Sequence, residues 1–137
     1  MNTTLESLEA LVKTVRQLAD TYPDFAYVPA TQPNNESRCA YNTGGCDKYP
    51  GLSGCIIGQA VRKLNVDIPA NMNLVGVQPI LLLLPGVTAT ELKSEVNVVK
   101  IAAWLQTVQA YQDSEKSWAS AVSLADAEKN KNKPPQE

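Results

Sequence analysis

The chain has 137 residues, of which 44% are hydrophobic and 19% charged, a composition typical of a folded domain with one sizeable core. Its formal charge of −2 gives no general attraction for nucleic acid or for an anionic membrane surface, so we expect neither as a partner. The sequence contains no histidine, which excludes Ser-His-Asp and Cys-His catalysis and every metal site built with histidine.

The first predicted helix begins at Thr3, which forms a capping-box pattern with Glu6. Apolar residues then follow in alternating steps of three and four, and Pro23 ends the helix. This seam comprises Leu5, Leu8, Val12, Val15, Ala19 and Tyr22. It falls short of the ~3–4 heptads typical of a coiled coil, so we interpret it as the core-facing side of the helix.

A short two-stranded β-hairpin is expected between the first and second helices. Phe25–Val28 is aromatic and β-branched and predicts one strand, and Cys39–Tyr41 predicts a second strand that pairs with it. The segment 30–37 between them is polar and predicts a loop. Strands this short need a helix to cover one face.

The second helix is predicted over Ser53–Asn65, with Ser53 as its N-cap and Asn65 as a left-handed stop. Gly58 lies inside this helix, where glycine costs roughly 0.5–1 kcal/mol relative to alanine. Gly54 and Gly58 lie one turn apart and would form a flat surface that another helix can approach closely. By size, we expect this surface to receive three small residues of the third helix, Ala102, Ala103 and Ala110.

The third predicted helix is the central packing element. Before it, Ile80–Leu84 is too short for periodicity to decide between helix and strand, although its leucines favour a helix and Pro79 suits a first helical turn. Thr88 and Glu91 repeat the capping-box pattern and begin the third helix. Its wide apolar face combines two stripes, Leu92, Val96, Val99 and Ala103 beside Val98, Ile101, Leu105 and Val108.

A fourth helix follows Asp113-Ser114, unless the third helix continues through this point. Its apolar stripe comprises Trp118, Ala121, Val122 and Ala125. From residue 129 onward the chain is rich in Lys, Asn and Pro, which indicates a disordered tail. We therefore predict a mainly α fold of about four helices with one hairpin, as a single domain over 1–128 followed by a tail over 129–137.

The three cysteines, Cys39, Cys46 and Cys55, do not form a Cys-x-x-Cys knuckle. A zinc site would need a fourth ligand from Asp47 or Glu36. We expect buried, unmodified thiols and no cofactor, while a metal site and a cysteine pair remain alternatives.

The segment Gly51–Cys55 superficially resembles a nucleophile elbow with Ser53 at its centre, and Cys55 lies in the first turn of the predicted helix, where the helix dipole favours a thiolate. The last glycine of the elbow is replaced by cysteine, and no histidine is present to act as the base. A helix cap followed by a buried thiol is therefore our preferred interpretation.

The loop 43–52 is the surface that we expect to contact a partner. Lys48 and Tyr49 lie next to Pro50, and an exposed aromatic side chain on a loop is a common anchor for another protein. We predict Lys48, Tyr49 and Leu52 as partner-binding residues.

Several motifs together are similar to a known group of proteins. They are Cys39-x-Tyr41, the segment Ser53–Val61 with its Cys-Ile-Ile-Gly-x-Ala core, and the segment Val108–Asp113 followed by Trp118. This pattern resembles uncharacterised small proteins of actinobacteria and their bacteriophages, mycobacteriophages especially, over roughly residues 39–125. The chain departs from the pattern around Cys46 and over 79–85. The resemblance implies a small phage accessory protein and carries no enzymatic activity.

We therefore expect a non-enzymatic protein–protein interaction module that binds a host or phage protein or self-associates. The N-terminal residues do not match a signal peptide, and the longest apolar run is far shorter than the ~20 residues of a membrane helix, so we expect a cytoplasmic protein. An enzyme centred on Ser53 and Cys55 is the alternative, and a DNA-associated regulator is the weaker one.

Overall fold

The computed structural model describes residues 3–27, 46, 48–49, 51–72 and 76–131. Within these ranges the chain forms six α-helices and one 3₁₀ turn, Ala70–Met72, and no strand longer than a single bridge. The helices are α1 (Thr3–Thr21), α2 (Ile56–Lys63), α3 (Val77–Leu81), α4 (Ala89–Ser94), α5 (Val96–Asp113) and α6 (Trp118–Lys131). The mainly α fold is therefore confirmed.

Helix α5 packs against each of the other five helices of the described residues. The prediction that this segment is the main packing element is confirmed. Around it lies one contiguous apolar core, in which Trp118 and Phe25 are fully buried and stack with ring centroids 3.9 Å apart.

The predicted third helix is two helices, because the chain is extended at Glu95 (ψ 120°). Thr88 caps α4 as predicted, its hydroxyl accepting a hydrogen bond from the Glu91 N–H at 3.2 Å. The Glu95 carboxylate then caps α5 by accepting from the N–H groups of Asn97 and Val98. This break and the short helix α3 raise the number of helices in the described ranges from the predicted four to six.

One of the two predicted apolar stripes of α5 faces solvent. The buried stripe contains Val98, Leu105 and Val108, which are fully buried, and Ile101, which is half-buried. On the other stripe, Val96 is 62% and Val99 39% exposed. Ala103 and Ala110 are also exposed and only Ala102 is buried, and the contact of these alanines with Gly54 and Gly58 stays a prediction. Helix α5 is covered on one side only, which periodicity alone could not indicate.

Helix α2 begins later than predicted, and its cap comes from a distant residue. Cys55, and not Ser53, takes the N-cap position, and its side chain makes no capping bond. The Ile56 N–H donates instead to Oε1 of Gln112, a fully buried side chain of α5, at 2.8 Å. The other end matches the prediction, since Asn65 is left-handed with φ 64°.

The first predicted strand forms one bridge, between Ala26 and Ser117 at the start of α6. The Trp118 N–H also donates to the Phe25 carbonyl at 2.8 Å, which ties this segment to α6. Val28 and the second predicted strand, Cys39–Tyr41, lie outside the described residues, so the hairpin is not confirmed.

All four residues of the predicted apolar stripe of α6, Trp118, Ala121, Val122 and Ala125, are buried. The helix continues to Lys131, past the boundary that we placed at residue 128. The rest of the predicted tail, 132–137, lies outside the described residues.

The N-terminus of α1 is joined to the turn before α4. The buried Thr4 hydroxyl lies 2.9 Å from both the Gly86 carbonyl and Oε1 of Glu91, and it accepts from the Thr88 N–H at 3.3 Å. Gly86 is left-handed (φ 78°), and a Cβ there would lie 2.8 Å from Oγ1 of Thr3. Thr3 itself is the first residue of α1, and its hydroxyl donates to the same carbonyl at 3.4 Å.

A candidate interaction groove between α1 and α5

A groove of about 740 Å³ runs between α1 and α5 and ends at Lys129 of α6. Three half-buried apolar side chains form its floor, Leu5 and Val12 from α1 and Ile101 from α5. It is bounded by charged and amide side chains of both helices. A groove with an apolar floor and a polar rim is a common arrangement for binding another molecule.

The groove exists because the seam of α1 is only partly covered. Leu8 and Val15, which are seven residues apart, are fully buried in the core. Leu5, Val12 and Ala19 form a second set with the same seven-residue spacing. Leu5 and Val12 are half-buried, whereas Ala19 is buried. Tyr22, the last residue of the predicted seam, lies just beyond α1 and is half-buried. The core-facing interpretation is thus confirmed for Leu8, Val15 and Ala19, and Leu5 and Val12 line the groove.

Two side chains that line the groove, Arg16 and Trp104, form a polar cluster with Asp126 of α6. Nη1 and Nη2 of Arg16 donate to the two carboxylate oxygens of Asp126 at 3.0 and 2.8 Å. The Trp104 indole N–H donates to Oδ1 of Asp126 at 2.9 Å, and the Arg16 guanidinium lies 4.7 Å from the Trp104 ring centroid. The bidentate Arg16–Asp126 pair therefore joins α1 to α6, and the Trp104 indole of α5 contacts both of its side chains.

The charges of this cluster stabilise each other. The bond from Arg16 holds the pKa of Asp126 below its ordinary value, against the opposing effect of partial burial, and the Trp104 bond acts in the same direction. The same pair raises the pKa of Arg16. The two side chains are 43% and 38% exposed, so water weakens their attraction.

Cations outnumber anions among the groove side chains. Lys13, Arg16, Lys100 and Lys129 line it together with Glu9 and Asp20. Even when Asp126 is counted with the anions, the groove keeps a positive excess, although the whole chain carries −2.

The predicted partner-binding residues lie elsewhere and contact the rest of the chain. The Lys48 ammonium pairs with Asp24 at 2.7 Å, which raises the pKa of Lys48. Tyr49 is half-buried, with its ring 5.1 Å from the ring of Tyr22 and stacked on Phe25 at 5.9 Å. The sequence predicts an exposed Tyr49, and this part of the prediction is wrong because neighbouring aromatic rings cover the side chain.

Leu52 is also half-buried, and it lines a shallow depression of about 260 Å³ beside Tyr22 and Arg62. Whether Lys48, Tyr49 and Leu52 contact a partner stays a prediction.

Ser53 and Cys55 differ strongly in their exposure. Ser53 is exposed, and its carbonyl accepts a bond from Arg62. The Cys55 side chain is fully buried in the core. Cys46 and Cys55 are unpaired thiols, and within the described residues no three cysteine or carboxylate side chains come together as metal ligands. Cys39, Glu36 and Asp47 lie outside those residues.

The groove residues were missed in the sequence because their signals are weak. The seven-residue spacing of Leu5 and Val12 was visible, but which side of the seam α5 covers depends on how the helices cross. Arg16 and Asp126 are 110 positions apart, and neither belongs to a recognisable motif.

In comparisons with known proteins, no protein-family model, curated protein or solved structure matches this chain. Among the helices that the structure describes, none is long and apolar enough to cross a membrane.

Proposed function

We propose that this protein is a non-enzymatic protein-binding module whose binding surface is the groove between α1 and α5. The observation that carries the proposal is the N-terminal part of the α1 seam that stays half-buried, where Leu5 and Val12 form an apolar floor with Ile101. Grooves of this kind receive the apolar face of an amphipathic segment of another protein. The resemblance to actinobacteriophage proteins supports a phage accessory role, with a host or phage protein in the cytoplasm as the partner.

The groove is a better candidate than the loop around Tyr49 for an energetic reason. The Tyr49 ring already packs within the chain, so a partner would gain little from contacting it. The groove side chains keep part of their apolar surface in water, and covering it would contribute roughly 25 cal/mol per Å².

The test is site-specific photo-cross-linking in actinobacterial cells. A photoreactive residue replaces Gln17, which is exposed at the groove rim, or Gln106, which is exposed on α5 outside the groove. We expect one discrete protein adduct from position 17 that is absent from position 106. Val12→Glu, which puts a charge on the floor, should abolish this adduct while circular dichroism confirms that the helices are retained.

The adduct must then be identified by mass spectrometry, and the purified partner must bind the unmodified chain but not the Val12→Glu chain. Adducts that are the same from both positions, or that survive Val12→Glu, would contradict the proposal.

A further inference from the structure

We infer that the groove takes an acidic amphipathic helix of the partner, aligned with α1. This inference rests on the proposed function and specifies the partner chemistry. Three features of the groove carry it: its length, the spacing of its apolar floor, and the unequal distribution of charge on its walls.

The length and spacing fit a helix. The groove follows α1 from Leu5 to Asp20, which is about 22 Å at the 1.5 Å rise of a helix and matches about four turns of a second helix. Leu5 and Val12 are seven residues apart, the repeat with which two helices pack side by side along a shared seam. Ile101 completes the floor from α5, so apolar residues of the incoming helix would have contacts on both sides.

The charges favour acidic residues on one side of that helix. The α5 wall contributes one cation, Lys100, and no anion. At the α6 end Lys129 lines the groove, and the Asp126 carboxylate there is already paired with Arg16. The α1 wall is mixed, with Glu9 and Lys13 one turn apart. The Lys100 side chain is exposed, and within the described part of the chain its ammonium forms no hydrogen bond or ion pair, so a carboxylate of the partner could pair with it without displacing an internal contact.

A second copy of this chain fits less well. It would present the same groove and the same lysines, and like charges facing each other disfavour pairing. The acidic helix is therefore the occupant for which the apolar floor and the charge of the α5 wall are both complementary.

The experiment is selection from a display library of 18-residue helices. Every member has the same apolar seam, and the positions flanking the seam vary among Glu, Gln and Lys. Selection is run on the wild-type chain, on Lys100→Glu, and on Lys116→Glu, which makes the same charge change at an exposed site between α5 and α6. The selected peptides are then measured by fluorescence anisotropy at 50 and 300 mM salt.

We expect Glu to be enriched on one flank with the wild-type and Lys116→Glu chains, and that enrichment to fall or reverse with Lys100→Glu. Lys100→Glu should weaken the selected acidic peptide at least tenfold, and raising the salt should weaken its binding to wild type. Equal enrichment of Glu and Lys, or enrichment that Lys100→Glu leaves unchanged, would overturn the inference.

The outcomes separate this inference from the proposed function. If position 17 traps a partner that depends on Val12 but acidic helices are not preferred, the groove binds protein and the partner chemistry is wrong. If no helix is selected and Val12→Glu blocks dimerisation of the chain, the groove is occupied by a second copy of this chain. That result also overturns the inference.

Discussion

Replacing Gln112 by leucine tests how the fold is held together. Oε1 of Gln112 accepts from the Ile56 N–H at 2.8 Å and from the Trp118 indole N–H at 3.3 Å, and the residue is fully buried. Its amide donates to the Asp113 carboxylate, an exposed group that water can solvate in its place. Leucine has a similar size, so the main change is the loss of the shared acceptor.

The magnitude follows from the two donors left without a partner. A buried donor that loses its acceptor costs about 1–3 kcal/mol, so two donors cost about 4 kcal/mol at the midpoint. The apolar leucine side chain offsets roughly 1.5 kcal/mol of this by its own burial. We therefore expect the free energy of unfolding of Gln112→Leu to fall by about 2.5 kcal/mol, and the Tm by about 9 °C for a chain of this length.

Urea denaturation followed by circular dichroism measures the global effect, and amide hydrogen exchange measures the local one. The Ile56 amide should exchange much faster in Gln112→Leu, whereas the Gln59 amide, which donates to the Cys55 carbonyl at 2.9 Å, should change only with global stability. Gln106→Leu, an exposed position on the same helix, is the control and should shift stability by less than about 0.5 kcal/mol. A Gln112→Leu chain as stable as this control, with unchanged exchange at Ile56, would refute the reasoning.

Three further predictions concern other parts of the fold. Gly86→Ala should destabilise the protein by about 1–3 kcal/mol in urea denaturation, because its φ is 78° and the new Cβ would meet the first threonine of α1, whereas Gly51→Ala, with no atom within 4 Å, should be near neutral. Since the pKa of Asp126 is lowered in the folded state, its contribution to stability is complete above its ordinary value of 3.8 and is lost as the pH falls through the lower folded value. The Asp126→Asn chain should accordingly lose less stability than wild type between pH 5 and 2 in urea titrations. In thiol labelling followed by peptide mass mapping, the half-buried Cys46 should react in the native protein and the fully buried Cys55 only on unfolding; rapid native labelling of Cys55 would contradict its placement in the core.

Local patterns predicted the helices well because apolar periodicity and capping residues act over a few positions. The Thr88–Glu91 cap and the left-handed Asn65 are examples, and both are found in the structure. The break at Glu95 was missed because the spacing from Leu92 to Val96 continues a helical stripe across it.

The features that sequence analysis missed depend on residues far apart in the chain. The cap of α2 comes from a residue 56 positions away, whereas local sequence predicts the nearest hydroxyl, Ser53. Tyr49 has the neighbours of an exposed loop residue, but the rings of Tyr22 and Phe25 cover it. The groove depends on which side of α1 the later helices occupy, and a repeat of apolar residues does not encode that choice.

The dependence of α2 on Gln112 has a consequence for synthesis on the ribosome. A helix of eight residues is too short to persist alone in water, and the group that accepts its first N–H is made only after 56 further residues. We therefore expect the segment around α2 to remain unstructured on the nascent chain until α5 has left the exit tunnel. Any truncated product that stops before that point would leave the cysteine at residue 55 open to oxidants and proteases that it never meets in the finished protein.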